Sequence, residues 1–152
     1  MQASLKIITF IASQEGYRPV AYKPLPTDRW TVGFGSTYID GVPVKEGDTL
    51  DTTKAYNILA KGVQIIADQL NKIAPKNIDQ YEFDAVVSLV YNIGINQFIQ
   101  NDIGKKFRNG ENISDKFLLY NRSGGKVVLG LVKRRQREKE IYDNGNYKSP
   151  TG

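Results

Sequence analysis

The run from Phe83 to Ile93 constrains the fold of this chain more than any other segment. Phe83, Ala85, Val86, Val87, Leu89, Val90 and Ile93 spread around most of a helical circumference. A helix that is apolar nearly all round must be enclosed, so the run predicts a buried central helix wrapped by other elements. Asp79-Gln80-Tyr81-Glu82 precedes it and fits a capping box with Asp in place of Ser or Thr. Asn92-Ile93-Gly94 ends it. A chain of 152 residues carries one domain's worth of core around such a helix.

The shell is legible on both sides. Residues 4–15 read as a short amphipathic helix, with Leu5, Ile8, Ile11 and Ala12 on one face and Gly16 as its C-cap. Asp51 is an N-cap for a helix to about Lys72, carrying Ala55, Ile58, Leu59, Val63, Ile66 and Leu70 at helical spacing. At 1.5 Å per residue that helix is roughly 33 Å long, and Ala74-Pro75 closes it. Asn101-Asp102 predicts a cap for Ile103 to Arg108, Ser114 to Tyr120 a further short helix, Ser123-Gly124-Gly125 a loop, and Leu129 to Tyr142 a basic helix. The tail after Asn144 reads as frayed.

Residues 17–50 differ in kind. They are rich in Gly, Pro, Thr and Tyr, and Trp30, Val32 and Phe34 alternate with Thr31, Gly33 and Gly35, which is the two-residue period of a strand. On that reading the large residues face a core, and Thr31 faces a surface where two glycines leave room for a ligand. Asp40-Gly41 marks a turn. A small irregular sheet of two or three strands follows. The fold class is α+β: a helix, a small N-terminal β lobe at about 16–50, and a larger helical lobe at about 73–145 joined to it by the long helix, all in one domain spanning 1–152.

Composition narrows the chemistry. The chain has no His and no Cys. Ser-His and Cys-His nucleophiles, and His/Cys zinc sites, are therefore excluded, and no metal or cofactor is expected. Catalysis would fall to carboxylates. Glu15 is the best placed, because it lies four beyond Ile11 and seven beyond Ile8 and so continues the inward stripe. A carboxyl group that loses water at the negative end of a helix dipole holds its proton, as a general acid must. The competing reading is a helix-ending glutamate that turns to solvent or pairs with Arg18.

The absence of cysteine fits synthesis in a reducing cytosol. Leu5 to Ala12 is short, contains Lys6 and runs into Glu15 without a cleavage-type sequence, so no signal peptide is expected. The net charge is +5, from 21 Lys and Arg against 16 Asp and Glu, which favours a polyanionic surface as partner. Lys133, Arg134, Arg135, Arg137 and Lys139 crowd one segment. They read either as a solvated helix face with Arg134–Glu138 pairing or as a non-specific basic patch.

Four segments together resemble a known family. Glu15-Gly16-Tyr17-Arg18 with Ala21-Tyr22 is similar to the E-G-x-R-x-x-A-Y opening of the phage lysozymes of glycoside hydrolase family 24. Thr31-Val32-Gly33-Phe34-Gly35 resembles their T-x-G-Y-G strand, and Phe83-Asp84-Ala85 with Tyr91-Asn92-Ile93-Gly94 their buried-helix signature. Asn121-Arg122-Ser123-Gly124-Gly125-Lys126, Gly130-Leu131-Val132 and Arg134-Arg135 resemble their W-N-x-x-G-G-K…G-L-x-x-R-R ending. The order and spacing match over nearly the whole chain.

The resemblance implies a lysozyme-like fold and hydrolysis of the β-1,4 bond between N-acetylmuramic acid and N-acetylglucosamine in peptidoglycan. Glu15 matches the family's catalytic glutamate, and Thr31 the threonine that holds the attacking water. An inverting mechanism requires a carboxyl separation of roughly 6.5–9.5 Å. The family's aspartate falls nine residues after the glutamate, and here that position is Pro24. The Glu-to-Thr separation is also one residue longer than usual. Two readings stand: Asp28 supplies a displaced carboxylate, or Asp28 is a turn residue and the second carboxylate is absent. Strand parity, which sides Asp28 with Trp30, favours the second; Pro24 and Pro26 weaken that parity.

Tyr22, Asn92 and Lys126 are candidates for substrate contact; each also has a structural reading, as core, C-cap and solvated loop lysine respectively. The implied partners are peptidoglycan glycan strands met by a monomer, with electrostatic attraction to the anionic bacterial surface and no nucleic acid. The implied setting is synthesis in the host cytoplasm and action at the cell wall after release through a holin-type pore. Two alternatives remain open: a lytic transglycosylase working with Glu15 alone, and a non-catalytic cationic wall-binding module.

Overall fold

The computed structural model describes residues 1–148. The chain divides into two compact units, Ile8–Gly62 and a larger one made of Met1–Ile7 with the chain from Val63 onward. The fold class is the α+β arrangement expected, with helices dominating and three small antiparallel pairs of strands.

The smaller unit holds most of helix α1 (Leu5–Glu15), strands β1 (Arg18–Tyr22), β2 (Thr31–Gly33), β3 (Tyr38–Ile39) and β4 (Val42–Pro43), and the start of helix α2 (Thr52–Asn71). β1 pairs antiparallel with β2, Arg18 opposite Gly33 and Tyr22 opposite Thr31, with an irregularity between the two pairs. β3 and β4 form a separate hairpin across Asp40-Gly41, so the single small sheet expected is two pieces. Asp51 caps α2 as the sequence predicts, its Oδ1 accepting from the Lys54 N–H at 2.7 Å.

In the larger unit, α3 (Gln80–Ile93) is the central helix. Every residue from Phe83 to Val90 is buried, and the Asp79/Glu82 capping box forms. α4 (Ile95–Gln100) and α5 (Asp102–Arg108) follow, then a 3-10 helix (Ser114–Leu119), the hairpin β5 (Arg122–Ser123) and β6 (Lys126–Val127), and α6 (Leu129–Asn144). α6 packs on α3 and on the 3-10 helix. α4 and the β5–β6 hairpin were not predicted. Asn101 does not cap α5 with its side chain; its Nδ2 donates to the Gln97 carbonyl at 2.6 Å.

Two polar side chains sit inside α3, and each has partners. Asp84 accepts from the Ser4 N–H at 3.2 Å, the Ser4 hydroxyl, Gln80 Nε2 at 2.9 Å and the Tyr147 hydroxyl at 2.5 Å. The segment just past Asn144 is therefore tied down, not frayed; residues 149–152 of that expectation lie outside the described residues. Burial first, then the bond to Asp84, pushes the Tyr147 phenol up from its ordinary range. Ser88 donates to Glu138 Oε2 at 2.5 Å. Glu138 also lies 3.2 Å from Arg134 Nε and 2.7 Å from Arg135 Nε.

This overturns the reading of 133–139 as a solvated face or open basic patch. The Arg134–Glu138 pair forms, but Arg134, Arg135 and Glu138 are 5%, 0% and 0% exposed. The charges run inward because α3 presents Ser88 and its carbonyl, which accepts from Arg134 Nη2 at 3.3 Å.

Candidate active site

Glu15 ends α1, and Gly16 behind it turns left-handed (φ 72°) while its N–H closes on the Ala12 carbonyl at 3.0 Å. The glutamate is half-buried. Its carboxylate lies against the turn that follows β2: a β-carbon built on Gly35 would stand 3.2 Å from Glu15 Oε2. The turn is tight. Val32 and Ser36 exchange N–H···O bonds of 2.9 Å in both directions, and Gly33 and Gly35 both adopt positive φ (69° and 83°).

The two glycines do different things from those expected. A β-carbon on Gly33 would fall 3.0 Å from Ala55 Cβ and 3.1 Å from Leu50 Cδ1, so Gly33 serves packing against the start of α2. Gly35 is exposed, and its missing side chain lets the Glu15 carboxylate lie close to the backbone there.

Thr31 opens β2 and is 7% exposed. Its hydroxyl donates to the Arg29 carbonyl at 3.1 Å. That bond uses the one hydroxyl hydrogen and leaves Oγ1 as an oriented acceptor. Tyr22 faces Thr31 across the strand pair, half-buried, with the Arg18 guanidinium 4.3 Å from its ring centre.

Asp28 lies in the exposed turn 23–30. Its N–H closes on the Leu25 carbonyl at 2.9 Å, and its side chain makes no hydrogen bond or ion pair among the described residues. Because β2 starts only at Thr31, strand parity does not govern where Asp28 points. Cations and aromatics brace the turn: Lys23 Nζ sits 5.2 Å from the Trp30 ring centre, and Arg29 Nη1 donates to the Tyr38 hydroxyl at 2.7 Å.

Glu15, Tyr22, Asp28 and Thr31 thus fall in one compact unit. Asn92 and Lys126 belong to the larger one. Asn92 is exposed near the end of α3 and lines a cavity of about 530 Å³ with Gln97, Tyr120, Arg122 and Leu131. Lys126 is exposed and pairs opposite Ser123 beside the turn of the hairpin. Tyr120, Arg122 and Gln97 were not singled out as cavity residues. Arg122 stands in the Asn121–Lys126 motif, which was the available signal. Among the described residues no group of His, Cys, Asp or Glu could hold a metal ion.

A family model described as phage lysozyme matches residues 12–138. The chain is 34% identical to an endolysin of Bacillus phage B103 over 152 residues, covering 98% of this chain and 57% of the relative, so it spans little more than half of that protein's length. It is 30% identical to the endolysin of Salmonella phage P22 over 148 residues, covering 93% of this chain and 98% of that one. The solved endolysin from Escherichia coli O157:H7 phage FAHEc1 superposes with a TM-score of 0.88 at 32% identity, over 97% of both chains. By the match of its family model over residues 12–138 and its similarity to nearly the whole of the P22 endolysin, the chain belongs to the phage lysozyme family.

Proposed function

We propose that this protein hydrolyses the β-1,4 bond between N-acetylmuramic acid and N-acetylglucosamine, and so degrades peptidoglycan at the bacterial wall. The observation that carries the proposal is the Glu15 carboxylate lying against Gly35, in the turn that leaves the Thr31 strand. Glu15 protonates the leaving glycosidic oxygen. Thr31 Oγ1, its hydrogen committed to Arg29, accepts a hydrogen bond from the attacking water. Asp28, on a turn braced at Trp30 and Tyr38, supplies the second carboxylate that makes this water a nucleophile on the opposite face of the sugar. Tyr22, Asn92 and Lys126 contact the glycan.

The alternative is a lytic transglycosylase that uses Glu15 alone. The exposed, unpartnered side chain of Asp28 and the proline at position 24 favour it.

Turbidity clearing of outer-membrane-permeabilised cells by wild type, Glu15→Gln, Asp28→Asn and Thr31→Ala tests the assignment. Loss of the general acid should cost about 10²–10⁴-fold in rate; full activity in Glu15→Gln would sink the enzyme reading. Full activity in Asp28→Asn would remove only the displaced carboxylate. The sugar product separates hydrolase from transglycosylase: a reducing N-acetylmuramic end for the first, a 1,6-anhydro ring for the second.

A further inference from the structure

Large apolar side chains exposed to water are not spread evenly over this protein. Of the thirteen among the described residues, five fall between positions 118 and 129: Leu118 (38%), Leu119 (68%), Val127 (56%), Val128 (39%) and Leu129 (66%). They cluster because of local geometry. Gly124 and Gly125 both take positive φ (59° and 78°) and reverse the chain in two residues, so that Arg122 pairs with Val127. The Val128 N–H then donates to the Asn121 carbonyl at 2.9 Å, and Leu129 starts α6. The 3-10 helix that ends at Leu119 packs on α6. Exposed apolar side chains concentrated in one short stretch point to an interaction surface.

The same stretch is basic, although the exposed Asp115 stands just before it and Asp102 pairs with Lys116 at 3.0 Å. From Lys116 to Arg137 there are seven Lys and Arg and no Asp or Glu. Arg134 and Arg135 turn inward to Glu138, but Arg122 and Lys133 are exposed in the same stretch. An anionic polymer would use the cations and gain nothing from valine and leucine. A second copy of the chain would bring like charges together. An anionic phospholipid bilayer uses both, taking the cations at its phosphates and the apolar side chains in its interfacial region.

We propose that Val127, Val128 and Leu129, with Arg122 and Lys133 and apart from the glycan contact proposed for Lys126, form a docking surface for an anionic phospholipid bilayer, a contact made along the surface and not through it. No helix among the described residues is long and apolar enough to cross a membrane.

Sedimentation with unilamellar vesicles tests this directly. The probes are phosphatidylcholine alone and phosphatidylcholine mixed in equal parts with phosphatidylglycerol. Wild type is compared with Lys133→Gln and with the double variant Val127→Ser/Leu129→Ser, each checked by circular dichroism. Wild type should partition onto the anionic vesicles and not the neutral ones. Losing one surface cation should weaken partition about fivefold, and losing two apolar side chains about tenfold or more. Clearing of purified, lipid-free sacculi should be the same for all three proteins. The proposal is overturned by equal binding of wild type and the double variant, or by equal binding to neutral vesicles. It is also overturned by loss of sacculus clearing in the double variant, which would assign the patch to the wall substrate, and by a concentration-dependent dimer abolished in the double variant, which would assign it to a second copy.

Discussion

Gly35→Ala separates the stability and the chemistry of the candidate site in one experiment. Gly35 has φ 83°, so any L side chain there is strained by about 1–2 kcal/mol. Gly41 has φ 80° and bears the same strain, but a β-carbon on it meets no atom within 4 Å. Both Ala variants should therefore lose about 2–8 °C in Tm, since 1 kcal/mol is worth roughly 2–4 °C in a chain of this size. Only Gly35→Ala places a methyl group 3.2 Å from Glu15 Oε2. Relieving that contact moves the carboxylate by a few tenths of an ångström, and a displacement of 1 Å can cost ~10²-fold in rate. The expected outcome is a roughly four- to tenfold fall in kcat for Gly35→Ala with KM little changed, and wild-type kcat for Gly41→Ala. Release of reducing ends from purified peptidoglycan, read beside differential scanning calorimetry, measures both quantities. Equal activity losses in the two variants, or undiminished kcat in Gly35→Ala, would refute the placement of Glu15 as the proton donor.

Glu138→Gln should lower stability by about 3–5 kcal/mol in urea unfolding, because it leaves the buried Arg134 and Arg135 without the carboxylate they share; a loss under about 1 kcal/mol would contradict that role. Tyr147→Phe should cost about 1 kcal/mol and speed amide exchange near Ser4, since the phenol and Ser4 bond the same carboxylate. Hydrogen bonds from Lys54 and Lys116 hold the Asp40 and Asp102 carboxyls below their ordinary pKa of 3.8. A depressed folded pKa stabilises above the unfolded pKa, and that contribution disappears as pH falls through the folded value. Asp40→Asn/Asp102→Asn should therefore show a shallower fall in Tm than wild type below about pH 4 and no change in slope at neutral pH.

The long helices were legible because their periodicity is long. Phe83 to Ile93 and Asp51 to Lys72 each give several turns of consistent spacing, and the Asp79/Glu82 box and the Asp51 cap formed as read. α4 escaped because six residues hold too little period, and the β5–β6 hairpin because two-residue strands hold none. The inward turn of Arg134 and Arg135 was missed for a different reason. Their partners, Ser88 and Glu138, lie 50 positions apart, and side-chain type alone sends arginine to the surface. The usable signal was in α3 itself, where Asp84 and Ser88 stand as polar residues four apart in an otherwise apolar run. At the candidate site, motifs single out Glu15 and Thr31, and both fall in one compact unit. The division of labour between Gly33 and Gly35 depends on Leu50, Ala55 and the Glu15 carboxylate, and only the fold brings those to them.

The Asp84 clasp makes the chain nearly a ring. One carboxylate receives Ser4 from before α1 and Tyr147 from after α6, so the two segments are joined through a single side chain. Closing a loop of that length instead of the 80-residue loop from Ser4 to Asp84 costs only about 0.5 kcal/mol more in chain entropy. Sequence order and spatial order are thus partly uncoupled here, because Ser4 and Tyr147 meet on one carboxylate within α3.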